Sequence, residues 1–273
     1  MPATEGLTAA EAQRPLAVYF SEFALDESRK DYYSRLIRYL RWIELLEIAF
    51  FSTLNYECLL EQALENEGIG INYLIDEARS VLDATSGPAG PRLQWSARRV
   101  NVAKLHGSCN SYFPADQNVA AQLSTGAMVE TRIDISGART SLSETSVAGR
   151  YPIMSQVSRD REDYLGPAKI LQLRQMWAQV ISDARLIIVI GLAPRRYDRH
   201  IWNPLQHATA DIVYIGSDSD ASSWLDCNPR FRSLGSTFDR GFRPLLRTLA
   251  RARRDRGGTV VNYLLDLCRS AVA

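Results

Sequence analysis

Apolar positions along this chain switch between two periods. Over residues 26–46 the apolar residues Tyr32, Leu36, Ile37, Leu40 and Ile43 recur at helical spacing, which predicts a helix. Asp26 and Ser28 stand where its N-cap is expected. The period then changes. Ile48-Ala49-Phe50-Phe51 is a short apolar run, expected to form a buried strand ending near Thr53. Helical spacing resumes over Tyr56–Asn66 and stops at Gly68 and Gly70. Ile71–Leu82 predicts a further helix, and the glycines and prolines of Thr85–Pro91 predict a loop. Arg99–Leu105 alternates loosely, as a strand would, and runs straight into His106-Gly107.

From Cys109 to Tyr151 the pattern weakens into Ser, Thr, Gly and Ala, with short alternating pieces such as Met128–Ile135. An insert or small subdomain of short strands and loops is expected over 109–151. The remainder is clearer. Pro167–Ser182 predicts a helix, Leu186–Ile190 a buried strand broken by Gly191, and Asp198–His207 a helix kinked or shortened by Pro204. Ile212–Ile215 predicts a strand broken by Gly216, and Phe238–Arg254 and Thr259–Cys268 predict two closing helices separated by Gly257-Gly258. Leu16–Phe20 is the candidate for a first strand. Strands alternating with helices predict an α/β fold: a doubly wound, mostly parallel Rossmann-like sheet with helices on both faces and a small irregular insert, in one domain over 1–273.

Composition narrows this picture only slightly. With 273 residues, 46% apolar and 23% charged, the chain is of ordinary globular make-up. Its net charge of +1 gives no pull towards nucleic acid or an anionic membrane. The arginines at 247, 251, 253, 254 and 256 read as the solvated end of a helix. The cluster Tyr32, Tyr33, Tyr39 and Trp42 reads as core, or as an interface with a protein partner or a second copy. Met1–Pro15 lacks the basic and apolar regions of a secretory signal, so a cytoplasmic location is expected. Cys58, Cys109, Cys227 and Cys268 form no metal knuckle and are expected as reduced thiols; no metal is expected.

In an open parallel sheet, ligands bind beyond the carboxyl ends of the strands. The residues just after each apolar run therefore matter most: Thr53 and Asn55, His106 and Gly107, Gly191, then Gly216, Ser217 and Asp218. Glycine at such a point lets backbone approach a phosphate or ribose, and Ser217 and Asp218 can hydrogen-bond ribose hydroxyls. Several strands delivering small or polar groups at one position point to a nucleotide crevice. The plain alternatives are that Asn55 is a turn or cap residue and that His106 satisfies a loop backbone group. His200 reads as structural, on a helix bordering the crevice, and His207 as a surface or packing residue.

Thr53-Leu54-Asn55-Tyr56-Glu57 resembles the Thr-x-Asn-Tyr-Asp strand-end motif of sirtuin-like proteins. Lys104-Leu105-His106-Gly107-Ser108 resembles their Leu-His-Gly motif. Ile188–Gly191, with Asp198 and His200 downstream, is similar to the strand, Gly turn and Asp-x-His-Ile segment of zinc-free prokaryotic members, and Val213–Gly216 fills the place of the next strand. The resemblance implies NAD as ligand or substrate. It implies cleavage of the nicotinamide–ribose bond, as in NAD hydrolases, several of them in anti-phage defence. Asn55 would position, His106 would act as general base, and Thr53, Glu57, Gly107, Ser108, Gly191, Gly216, Ser217 and Asp218 would bind the dinucleotide.

The sequence departs from that family in four ways. No Gly-rich phosphate loop precedes Gly68, and Leu16–Phe20 is followed by Ser21-Glu22-Phe23. Glu57 stands where Asp is common. Pro194-Arg195-Arg196 follows Gly191, and the four-cysteine zinc ribbon of the deacylases is absent. The missing loop leaves three alternatives: a natural N-terminus that extends further, a different mode of NAD binding, or a degenerate relative working as a nucleotide-binding or protein-interaction module. A nucleotide or sugar-phosphate transferase, with Asp218 and Asp220 as metal carboxylates, is a weaker third function.

Overall fold

A computed structural model of the chain describes residues 13–25, 31–74, 99–114, 133–143, 150–154, 168–195, 198–254 and 261–265. Seven strands form one parallel sheet: β1 (Ala49–Thr53), β2 (Gly70–Asn72), β3 (Arg99–Lys104), β7 (Leu186–Ile190), β8 (Asp211–Ile215), β9 (Phe231–Gly235) and β10 (Val261–Leu265). Their spatial order is β2-β3-β1-β10-β7-β8-β9. A second, antiparallel sheet pairs β4 (Gly107–Pro114) with both β5 (Asp134–Ile135) and β6 (Arg150–Met154). The chain is thus α/β with a Rossmann-like parallel sheet.

Alternation within the strands explains why helices cover both faces. Ala49, Phe51, Val100, Val102, Ile188, Val213 and Ile215 pack on one side with α2 (Tyr32–Trp42), α3 (Leu59–Asn66) and α7 (Phe238–Arg254). Phe50, Ala103, Ile187, Val189, Ile212 and Tyr214 pack on the other with α4 (Ala168–Asp183), α5 (Arg199–His207) and α6 (Asp218–Cys227). Each fully buried apolar side chain contributes about 1.5–3 kcal/mol by leaving water. Trp177 of α4 is fully buried, and its indole Nε1–H donates to Ser52 Oγ at 3.0 Å, so the core strand β1 and α4 are joined by a satisfied polar contact.

The helix that follows β1 lies on one face, while those that follow β7 and β8 lie on the other. The change of face occurs across β1, β10 and β7, and it marks the switch-point crevice of a doubly wound sheet.

Three expectations are corrected here. The closing helix expected over 259–268 is replaced at Val261–Leu265 by a strand, paired in parallel with β1 on one side and β7 on the other; 259, 260 and 266–268 lie outside the described residues. A short apolar run reads as either element in sequence, and here two open strand edges decide the matter. Leu16–Phe20 is not the first strand. Residues 13–21 are helical (α1), with Ala17 buried and Leu16 and Tyr19 exposed, a split that helical geometry produces from an unbroken apolar run. The expected helix at Ile71–Leu82 begins instead as strand β2, which pairs with β3; residues 75–82 lie outside the described residues, as does the predicted loop at 85–91.

The helix expected over 26–46 is shorter, and its cap is Asp31, whose carboxylate accepts from the backbone N–H groups of Tyr33 and Ser34. Asp26 and Ser28 lie outside the described residues. Asp31→Ala is expected to cost about 1 kcal/mol of stability in urea unfolding. No change would show that α2 is held by its packed face alone. Two further elements were not anticipated: β9, whose burial is only partial, and α6, a polar helix with one buried anchor, Trp224.

Candidate functional site

All seven strands of the main sheet run the same way, so their carboxyl ends share one edge. β1 and β3 are hydrogen-bonded neighbours with Thr53 opposite Lys104. The chain leaves β1 through Leu54-Asn55-Tyr56-Glu57 and leaves β3 through Leu105-His106, so the two motifs emerge side by side. Leu105 N–H donates to Thr53 O at 3.1 Å across that junction.

Asn55 is buried and rigidly held. Its backbone N–H donates to Thr53 Oγ1 at 3.0 Å, and its Nδ2 donates to Glu57 Oε1 at 3.1 Å. Glu57 therefore orients the Asn55 side-chain amide, and Thr53 fixes its backbone. His106 is 3% exposed and directs Nε2 towards Asp198 Oδ1 at 3.8 Å. Asp198 precedes α5 and makes no side-chain cap contact with that helix, although Asp is a common cap. The rings of His106 and His200 have their centroids 5.2 Å apart. His106, Asp198 and His200, distant in sequence, thus converge on one point.

Backbone constraints fix the His106 turn. Gly107 has φ +82°, and a Cβ there would lie 1.9 Å from the carbonyl oxygen of Ile153 in β6, so no larger residue fits without moving backbone. Arg174 of α4 donates Nε–H to Leu105 O at 3.0 Å. Sequence spacing gives no hint of Arg174, one of two cations on a helix read for its apolar positions. Ser108 is fully buried and donates to Tyr56 O at 3.2 Å, and Cys109 N–H donates to the same carbonyl at 2.9 Å. Ser108 therefore fastens the Asn55 loop to β4.

Beneath the loop lies a buried charged group. Lys104 Nζ pairs with Glu61 Oε1 at 2.9 Å and donates to the Glu57 carbonyl at 2.5 Å. Burial opposes its charge, but the adjacent carboxylates, Glu61 first, prevail and hold its pKa above the ordinary lysine value. The thiols of Cys58 and Cys109 are 3.8 Å apart. Their mutual hydrogen bond, with burial, raises the Cys58 pKa well above its usual value. The same bond lowers that of Cys109, against the effect of burial and with help from Lys104.

The remaining candidates sit further along the edge. Gly191 follows β7 with φ +72° and donates its N–H to Ile215 O at 2.8 Å. Gly216 follows β8, and a Cβ there would meet the Tyr214 hydroxyl at 2.2 Å. Ser217 is exposed and serves as the N-cap of α6: its Oγ accepts from Asp220 N–H at 3.2 Å and donates to Asp220 Oδ2 at 2.8 Å. Asp218 is exposed in the first turn of α6. Three strand spacings of about 4.8 Å separate the end of β1 from that of β8, roughly 14 Å. The sheet therefore brings Asn55 and His106 together and keeps Gly216, Ser217 and Asp218 apart from them. Arg195 is exposed, and Arg196 lies outside the described residues. Among the described residues, no helix is long and apolar enough to cross a membrane.

Residues 49–141 match the family model of the SIR2-like domain. No curated protein and no solved structure matches the chain. The matched segment runs from the first residue of β1 past the end of β5 and contains both Asn55 and His106. The match covers about a third of the chain, so what it shows is a segment similar to the SIR2-like domain, set in the parallel sheet with the ends of β1 and β3 side by side.

Proposed function

We propose that the protein is an NAD+ hydrolase that breaks the nicotinamide–ribose bond. The observation that carries the reading is the neighbouring placement of Asn55 and His106 at the ends of β1 and β3, with Asp198 facing the imidazole. The reaction consumes water and yields nicotinamide, ADP-ribose and a proton. Its transition state places positive charge on the ribose, and a water must lose its proton as it attacks the anomeric carbon. His106 is the base that takes this proton, since an imidazole titrates near neutral pH. Asp198 stabilises the imidazolium so formed by coulombic attraction. Glu57 holds the Asn55 NH2, which leaves the amide oxygen to accept a hydrogen bond from the water or a ribose hydroxyl.

Gly191 and Gly216 would allow close approach of the dinucleotide, and Ser217 and Asp218 would hydrogen-bond the adenosine ribose hydroxyls. A role in anti-phage defence or signalling is consistent with the family resemblance.

One observation favours a second reading, a catalytically silent nucleotide-binding or protein-interaction module. Two donors of the Asn55 loop are already engaged within it, the Asn55 backbone N–H by Thr53 Oγ1 and the Asn55 NH2 by Glu57 Oε1. Incubation of the purified protein with NAD, followed by chromatography of nicotinamide and ADP-ribose, separates the two. Equimolar release of both products is expected. Binding of NAD without release would favour the silent module, and neither binding nor release would remove NAD from the reading altogether.

A further inference from the structure

His106, Asp198 and His200 offer two imidazole nitrogens and one carboxylate oxygen, all within 4.8 Å of one another. His106 and Asp198 are buried, and His200 is half-buried. Two of the three ligand-bearing segments are held by backbone: His106 by the Gly107 turn, and Asp198 by its own N–H to Arg195 O at 3.0 Å and by its carbonyl, which accepts from Ile201 and Trp202 N–H at 2.8 Å. Among the described residues this is the one group of three such ligands that converges.

From these observations we propose that the three residues form a binding site for a divalent transition-metal ion, with Zn2+ the reference case. Two histidines and a carboxylate are a ligand set that borderline cations accept, and bond lengths near 2.0–2.2 Å place such ligands roughly 3.4 Å apart. His106 and Asp198 stand at 3.8 Å, so their part of the site needs only a small contraction. The three ligand atoms already lie within 4.8 Å of one another, so His200 needs an approach of about 1.4 Å at most. Three protein ligands leave the fourth position of a tetrahedral ion to water, which marks an exchangeable ion rather than a structural one.

Occupancy has a chemical consequence that rests on the hydrolase reading. The ion takes the lone pair of His106 Nε2, the pair that would otherwise accept the proton from water. Bound metal and general-base catalysis at His106 then exclude each other, and the ion is an inhibitor of NAD cleavage. The site itself does not depend on that reading.

The test is calorimetric titration of metal-free protein with Zn2+ in the absence of NAD. Saturable binding of one ion per chain is expected. It should weaken at least 10-fold in Asp198→Asn and in His200→Gln, and stay unchanged in His207→Gln and in the thiol control Cys109→Ser. Thermal melting confirms that each variant is folded. His200→Gln, at a half-buried position, carries the test alone should Asp198→Asn not fold. Absence of saturable binding, or binding that both ligand variants leave undiminished, overturns the site. The hydrolase reading stands or falls separately, on nicotinamide release measured in chelator.

Discussion

His106→Ala is expected to slow nicotinamide release by about 10²- to 10⁴-fold, the usual range for loss of a positioned general base. Asn55→Ala is expected to fall in the same range with little change in melting temperature. Its side chain is held by the Glu57 carboxylate rather than packed in an apolar core cluster. The pair should be non-additive. Once His106 no longer takes the proton, a water positioned by Asn55 has nowhere to deliver it, so the double variant should be scarcely slower than the worse single one. Release by both single variants at the parental rate would remove these two residues from the chemistry. A loss accompanied by a large drop in melting temperature would assign them to the fold instead.

The second large effect concerns stability. Lys104→Met leaves Glu61, a carboxylate with no solvent exposure, without its cation. Breaking a buried ion pair from one side costs about 3–5 kcal/mol, a large share of a typical domain's 5–15 kcal/mol. Replacing both partners by apolar residues, as in Lys104→Met with Glu61→Leu, should recover most of the loss, because it removes the stranded charge as well. Urea unfolding of the two single variants and the double variant measures the coupling. A Lys104→Met cost below about 1 kcal/mol would mean that water reaches Glu61. The lysine pKa is raised in the folded state, so the contribution is complete below the unfolded lysine value of about 10.4. It declines only as pH rises through the higher folded value, so buffers from neutral pH up to the unfolded lysine value should give the same Lys104 effect.

Legibility in the sequence followed the strength of the period. Leu186–Ile190 and Phe238–Arg254 have the boundaries that their apolar runs imply, because five consecutive buried residues or a long amphipathic stretch admit one element each. Leu16–Phe20 and residues 259–268 were misassigned because a short apolar run fits a helix or a strand equally well. What distinguishes them is tertiary: a buried place for Ala17 beside Cys58, Cys109 and Met154 for one, two open strand edges for the other. At the site, Asn55 and His106 were readable because each directly follows its strand. Arg174 was not, since its partner is a carbonyl 69 residues away. The convergence of Asp198 and His200 on His106 was equally hidden, because β7 must first bring its loop beside β3's.

The place of β10 in the sheet has a consequence for how the protein is made. Its neighbours β1 and β7 precede it by roughly 210 and 75 residues of synthesis. Until Val261–Leu265 leaves the ribosome, the two halves of the sheet have no strand to join them, and each presents an inner edge of unpaired amides and carbonyls. The nascent chain can complete helix–strand units early, but the crevice that unites Asn55, His106 and Gly191 closes only in a late, long-range step. Loop-closure entropy makes such steps slow. The interval before it is when open β-edges are most exposed to aggregation and to capture by chaperones.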